Sequence, residues 1–140
     1  MNDMAFNFIS ALCVAGSAFV GLSHVVPRPV LSDYFEVKKL EFHREGETAI
    51  LDFEREIKQP IHMGFTVRVM KEGREGWIED CAMTSGVILY QAGRDLPDPV
   101  DLDWWTWSRC PTLPSGKVLI ETTWTPAGGL PPLTIAREVK

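Results

Sequence analysis

The segment Met63-Gly-Phe-Thr-Val-Arg-Val69 decides the fold class of this chain, because apolar residues stand at every second position along it. Successive side chains of a β-strand point to opposite faces. As a strand, the segment therefore puts its four apolar side chains on one face and Thr66 and Arg68 on the other. This pattern predicts a β-strand with one buried face.

Short apolar segments with similar patterns lie on both sides of this one, and turn signals containing Gly or Pro separate them. From Tyr34 onward no segment has a helical period. The number and spacing of the segments predict an antiparallel two-sheet sandwich of immunoglobulin or fibronectin type, with a small closed barrel as the alternative. We expect Trp77 and Trp124 to fill its core. The further predicted strands are residues 35–42, 49–57, 77–83, 87–90, 118–124 and 133–139.

The chain begins very differently, with an uninterrupted apolar run over residues 5–26. As a helix, this run would reach about 33 Å, enough to cross a bilayer core of roughly 30 Å. Pro27 and Pro29 would end the helix, because proline lacks the N–H that helical hydrogen bonding needs. The sequence therefore divides into an N-terminal apolar helix, residues 1–27, and a β-sandwich domain, residues 28–140.

Three interpretations of the apolar run stay open: a retained membrane anchor, a cleaved secretory signal, and a helix buried in an assembly such as a virion. A signal normally carries a basic segment first, and no Lys or Arg precedes Arg28. Ser17 and Gly21 stand four residues apart, a small-residue face through which helices could pack into an oligomer. We favour an anchor with the domain on the extracytoplasmic side, or secretion if the segment is cleaved.

Composition argues against several classes of function. The net charge of −5 speaks against a nucleic-acid partner, because such proteins normally carry a basic surface. None of the common hydrolase, nucleotide-binding or zinc-protease motifs occurs, so we expect no enzyme, no cofactor and no metal site. A small hydrolase with two dispersed carboxylates is the remaining catalytic alternative.

Two of the three cysteines are placed to form a disulfide. Cys81 lies in a predicted strand and Cys110 follows a long irregular segment, so a bond between them would fix that segment to a sheet. Such bonds persist in oxidising compartments. The alternative is two buried free thiols. Cys13 lies in the apolar run and would be left unpaired.

The long segment, residues 93–110, contains the most unusual composition of the chain. Its tryptophans are Trp104, Trp105 and Trp107, and on a strand the last two would share one face. They could contact a protein partner or a sugar ring, fill the core, or touch a membrane interface. Asp101 and Asp103 would add polar contacts. Together with two earlier aspartates, Asp95 and Asp98, they could also hold Ca²⁺, although solvated turn carboxylates are the commoner case.

One stretch resembles a known group of proteins. Trp107-Ser-Arg-Cys-Pro-Thr-Leu-Pro-Ser-Gly-Lys-Val-Leu-Ile-Glu-Thr-Thr-Trp124 carries a Cys, then Leu-Pro-x-Gly, then a strand ending in Trp. With Trp77-x-x-x-Cys81 upstream, it resembles short phage-encoded proteins that have an N-terminal apolar helix and an immunoglobulin-like domain. The resemblance implies a viral origin. It implies no activity, since that group has none assigned.

The function that these patterns favour is a non-enzymatic interaction module, anchored in a membrane or associated with a virion. It would bind a protein partner through the tryptophan-rich segment, with Trp104, Trp105 and Trp107 supplying contact area. The alternative is a secreted carbohydrate-binding domain, possibly Ca²⁺-dependent, that uses the same segment to bind a surface glycan.

Overall fold

Eight strands form two antiparallel sheets in the computed structural model, which describes residues 29–140. A short 3₁₀ helix, Leu31–Asp33, precedes the first strand. The predicted apolar helix of residues 1–27 lies outside the described residues. Among the described residues, no helix has the length and apolar character needed to span a bilayer. The strands are β1 (Phe35–Glu45), β2 (Thr48–Ile57), β3 (Ile61–Gly73), β4 (Gly76–Thr84), β5 (Ile88–Tyr90), β6 (Val100–Asp101), β7 (Val118–Pro126) and β8 (Leu133–Glu138).

The strand predicted from the alternating segment is confirmed as part of β3, the central strand of the larger sheet. Met63, Val67 and Val69 are fully buried, while Thr66 and Arg68 face outward. On one side β3 pairs with β7 over nine register positions; on the other, it pairs first with β5 and then with β4. This strand is apolar on one face because only that face meets the other sheet.

The larger sheet has the order β4-β3-β7-β8, with β5 beside the beginning of β3, and the smaller sheet has the order β1-β2-β6. Each of the seven predicted strands has a counterpart, so a mainly β chain with antiparallel sheets is confirmed. The eighth strand, β6, was missed because its two residues, Val100 and Asp101, are too few to form an alternating pattern.

Aromatic side chains fill the space between the sheets. Trp124, on β7, packs against Phe35 at 5.5 Å between ring centroids and lies nearly parallel to Phe53 at 6.1 Å. Trp124 is therefore a core residue, as predicted. The same prediction is wrong for Trp77, whose side chain is exposed near the tip of the β3–β4 hairpin.

The two sheets are joined along both of their long sides. On the first side, the residues after β8 cross to β1: the Lys140 N–H donates to the Phe42 carbonyl at 3.0 Å, and the Arg44 N–H donates to the Lys140 carbonyl at 2.7 Å. On the second side, a disulfide joins Cys81 of β4 to Cys110, in the segment that follows β6. The predicted disulfide is thus confirmed.

Candidate functional site

A cavity of about 240 Å³ lies between the sheets on the disulfide side. Its volume falls somewhat below the usual range for small-molecule pockets. Most of its wall is aromatic or aliphatic, and the charged groups on it are two arginines and one aspartate. We call it the Trp cavity. Its lining includes the side chains of Arg55, Ile57, Phe65, Tyr90, Arg94, Asp95, Trp104, Trp105 and Trp107.

Trp104 and Trp105 reach this cavity from a short helix, α1 (Leu102–Trp105), and Trp107 reaches it from the turn that follows. Asp101 caps the helix, because its side chain accepts a hydrogen bond from the Trp104 N–H at 2.8 Å. Residues 104–107 therefore do not form a strand, so the condition under which Trp105 and Trp107 would share one face is not met. Trp105 is 5% exposed, whereas Trp104 and Trp107 are 47% and 51% exposed.

The backbone after α1 turns back sharply. Trp107 and Ser108 have φ angles of 50° and 61°, in the left-handed region that side-chain-bearing residues seldom adopt. Thr106 supports the turn from inside: its buried hydroxyl donates to the Leu102 carbonyl at 2.7 Å and accepts from the Cys110 N–H at 3.1 Å. The disulfide at Cys110 then fixes the end of the turn. Strained backbone that is held this firmly is typical of functional sites.

Trp105 forms the floor of the cavity. Its ring contacts Phe53 at 4.9 Å and Phe65 at 5.7 Å between centroids. Its indole Nε1–H is buried and has no acceptor among the described residues. A buried donor without a partner costs free energy, so each such group calls for an explanation. Trp107 lies nearby, edge-on to Phe65 at 5.7 Å.

Arg55 stands on the inward face of β2, where an apolar side chain would be expected. The neighbouring inward positions are Phe53 and Ile57, and all three side chains are partly buried, whereas Glu54 and Glu56 are exposed on the other face. The guanidinium lies 5.7 Å from the centre of the Tyr90 ring, a cation–π contact. No carboxylate of the described residues lies within salt-bridge distance of Arg55.

The electrostatics around this pair follow from burial. Burial lowers the pKa of Arg55; Tyr90 opposes that change, and the positive charge of Arg94 adds to it. Burial also raises the pKa of Tyr90 to about 12, which the nearby Arg55 partly offsets. Arg68, on the outward face of β3, is a useful contrast, because it contacts Glu79 at 2.9 Å and Glu121 at 3.1 Å. Arg55 is therefore an interior-facing cation without a carboxylate, in a chain of net charge −5.

The backbone edge of β2 is open beside the cavity. Strand β6 pairs only with Ile50 and Leu51, so residues 53–57 have no strand on the side away from β1. Among the described residues, no other backbone or side-chain hydrogen bond reaches the main chain of residues 53–57 from that side. A groove of about 440 Å³ runs between this edge and residues 91–96 and shares Arg55, Ile57 and Arg94 with the Trp cavity.

The predicted polar residues have different surroundings from those expected. Asp101 is engaged in capping α1, and the exposed Asp103 carboxylate has no ion-pair partner within the part of the chain that the structure describes. Within that same part, no three acidic, His or Cys side chains gather as a metal site would require, so the four aspartates of residues 95–103 do not converge. The Trp cavity has a single carboxylate on its wall, Asp95.

Sequence reasoning identified the tryptophans but missed Arg55, Tyr90 and Arg94. A signal for Arg55 was present, because Leu51, Phe53, Arg55 and Ile57 share one face of the predicted strand and one of them is charged. No comparable sequence pattern marks Tyr90 or Arg94, because only the folding of the chain brings these residues to the cavity.

Comparison of the chain with family models, curated proteins and solved structures finds no match.

Proposed function

We propose that this protein is a non-enzymatic interaction module that binds a protein partner at the Trp cavity. The observation that carries the proposal is the exposure of Trp104 and Trp107, each about half accessible, at the mouth of a cavity with aromatic walls. Exposed tryptophans beside a concave apolar surface are typical of binding hot spots, because a partner can bury a large, rigid area there. The partner would cover these two side chains and enter the cavity.

We infer that the two sheets form an immunoglobulin- or fibronectin-like sandwich. The strand order supports this: β1, β2 and β6 correspond to strands A, B and E, and β3, β7 and β8 to strands C, F and G. Strand β4 would be an addition next to C. In such domains, segments between strands carry the binding residues while the sheets hold them in place.

The compartment is part of the same proposal. The Cys81–Cys110 disulfide supports an oxidising environment, so we place the domain outside the cytoplasm or in a virion. The apolar run of residues 5–26 would attach it to a membrane or to neighbouring virion proteins. A phage origin stays an inference from the resemblance of residues 107–124.

The test is a selection of binders from a random-peptide display library against the full-length chain in mild detergent. We expect enriched peptides whose affinity falls at least about 30-fold for Trp104→Ala/Trp107→Ala, since a single hot-spot residue contributes roughly 2 kcal/mol or more and the two contributions need not add. Trp77→Ala is the matched control, because Trp77 is an exposed tryptophan remote from the cavity lining. Binders that tolerate the double substitution, or that respond equally to the control, would disprove the proposal.

A surface glycan is the second candidate, because Trp104 and Trp107 could each stack on a sugar ring while Arg94 and Asp95 bond its hydroxyls. It predicts a change of tryptophan fluorescence with at least one member of a glycan panel, and loss of that change in the double variant. We leave Ca²⁺ out of this candidate, since the described aspartates do not gather into a cation site.

A further inference from the structure

Two hydrogen-bond donors in the Trp cavity lack acceptors. Arg55 is a permanent cation with no carboxylate within salt-bridge distance among the described residues, and the buried Trp105 Nε1–H has no acceptor there. Some cations on the outward faces of the sheets are paired: Lys38 bridges Glu36 and Glu56, and Arg68 bridges two glutamates. Partly buried donors are costly when unpaired. A group with acceptor oxygens, bound in the cavity, would pair with the Arg55 guanidinium.

The open edge of β2 suggests how that group is presented. The main chain of residues 53–57 has free N–H and C=O groups beside the groove, and an exposed edge of this kind is a template for a further strand. Extended peptides bind such edges by main-chain hydrogen bonds, while alternate side chains enter pockets below the sheet. The groove and the cavity share residues, so one segment could use both.

The unpaired Arg55 and the open edge of β2 fit one ligand, because the side chains of an added strand would alternate between the two faces of the sheet. Arg55 faces inward, so the residue directly opposite it on an added strand would also face inward, into the cavity. The inward residues on either side of that one would lie opposite Phe53 and Ile57, which are apolar.

We propose that the partner adds an extended segment to the free edge of β2, with an acidic side chain opposite Arg55 and an apolar side chain on each side of it. This inference rests on the proposed function, because it names the part of the protein partner that the Trp cavity receives.

Charge complementarity selects the acidic residue. Guanidinium groups bind carboxylates through two parallel hydrogen bonds, and Arg94 at the rim adds a second positive charge. Asp95, also at the rim, opposes the incoming charge, but it is exposed and therefore screened by solvent. Glu54 and Glu56 also line the groove, but they are exposed on the opposite face of β2 from Arg55, where solvent screens their charges. A basic residue at the central position would face Arg55 directly and be repelled.

The experiment uses nonapeptide libraries whose fifth position is fixed as Glu, Gln, Lys or Leu while the other positions vary. Binding to the full-length chain in detergent is measured by fluorescence anisotropy. We expect the Glu library to bind about tenfold more tightly than the Gln library, the scale of a hydrogen bond to a charged group. Arg55→Glu should reverse the preference to Lys, and Arg68→Gln should leave it unchanged. If Arg55→Glu does not fold, Arg55→Gln should abolish the Glu–Gln difference.

Each other outcome would overturn the inference. Equal binding of the four libraries, or a preference for Leu, would show that Arg55 does not read charge. If the Arg55→Gln variant keeps the preference for Glu, then another residue recognises the Glu side chain. Equal binding of backbone N-methylated Glu peptides would show recognition of a free carboxylate without strand addition. Self-association that Arg55→Gln abolishes, without any peptide preference, would identify a second copy as the occupant.

The inference and the proposed function fail in different ways. If no nonapeptide library binds, but displayed binders still depend on Trp104 and Trp107, then strand addition is wrong and the interaction module stands. If displayed binders are also independent of both tryptophans, then the proposed function is wrong as well.

Discussion

Removing the Cys81–Cys110 disulfide should destabilise the fold by an amount that its position in the chain predicts. The two cysteines are 29 residues apart in sequence. In the chain-entropy treatment, closing a loop of that length restricts the unfolded chain by about 3.6 kcal/mol at 25 °C. The loss is larger than for a short loop, because the unfolded ensemble gains more freedom when a longer loop opens. For a domain of this size it lowers Tm by roughly 15 °C.

The assay is urea and thermal unfolding of the full-length chain, followed by near-ultraviolet circular dichroism, for the wild type and for Cys81→Ala/Cys110→Ala. The reduced wild type keeps both sulfur atoms and lacks only the bond, so it separates the effect of the bond from the loss of the buried Cys110 sulfur. Its free energy of unfolding should match that of the double variant. Cys13→Ala is the matched control and should unfold like the wild type. A loss below about 1 kcal/mol in both the double variant and the reduced protein would refute the loop-entropy reasoning.

Two further predictions concern the cavity wall. Trp105→Ala should lower the free energy of unfolding by about 3–5 kcal/mol, because the ring is buried against Phe53 and Phe65. Trp104→Ala and Trp107→Ala should each lower it by less than about 1 kcal/mol, because both rings are half exposed. Urea unfolding measures all three variants, and equal losses would contradict the placement of these rings. The pKa of Tyr90 rises from 10.0 to about 12 on folding, so the neutral phenol should contribute its full stabilisation below pH 10 and lose it as the pH rises from 10 to 12. Tyr90→Phe should flatten that part of the curve of unfolding free energy against pH. Identical curves for the two proteins would show that Tyr90 ionises freely in the folded state.

Strands of ordinary length were predictable from the sequence because one face of each meets the core. The alternation of residues 63–69 located β3, and Trp124 was correctly placed between the sheets. Trp77 was misplaced because the β3–β4 hairpin tip has no sheet packed over it at that position, so the side chain stays exposed although its strand pattern resembles the others.

The candidate site was less predictable, because its parts come from distant segments. Residues 93–110 were expected to be irregular, yet Asp101 stands three residues before Trp104 and caps a short helix, a signal that the sequence carried. Arg55 could have been noticed as a charge on an apolar face. The contact between Arg55 and Tyr90 could not be predicted from the sequence, because the pairing of β5 with β3 brings the Tyr90 ring into place. The open edge of β2 follows only from the shortness of β6.

The register of β1 and β2 has a consequence for how neighbours can approach. Phe35, the first residue of β1, pairs with Ile57, and Arg55 lies about 7 Å further along the strand. Pro29 lies at the same end, beside Pro60 and Ala127. The described part of the chain therefore begins at the end of the sandwich where β2 finishes. A segment that adds to the free edge at residues 53–57 would therefore bind toward the end of the domain at which the chain continues back to residues 5–26.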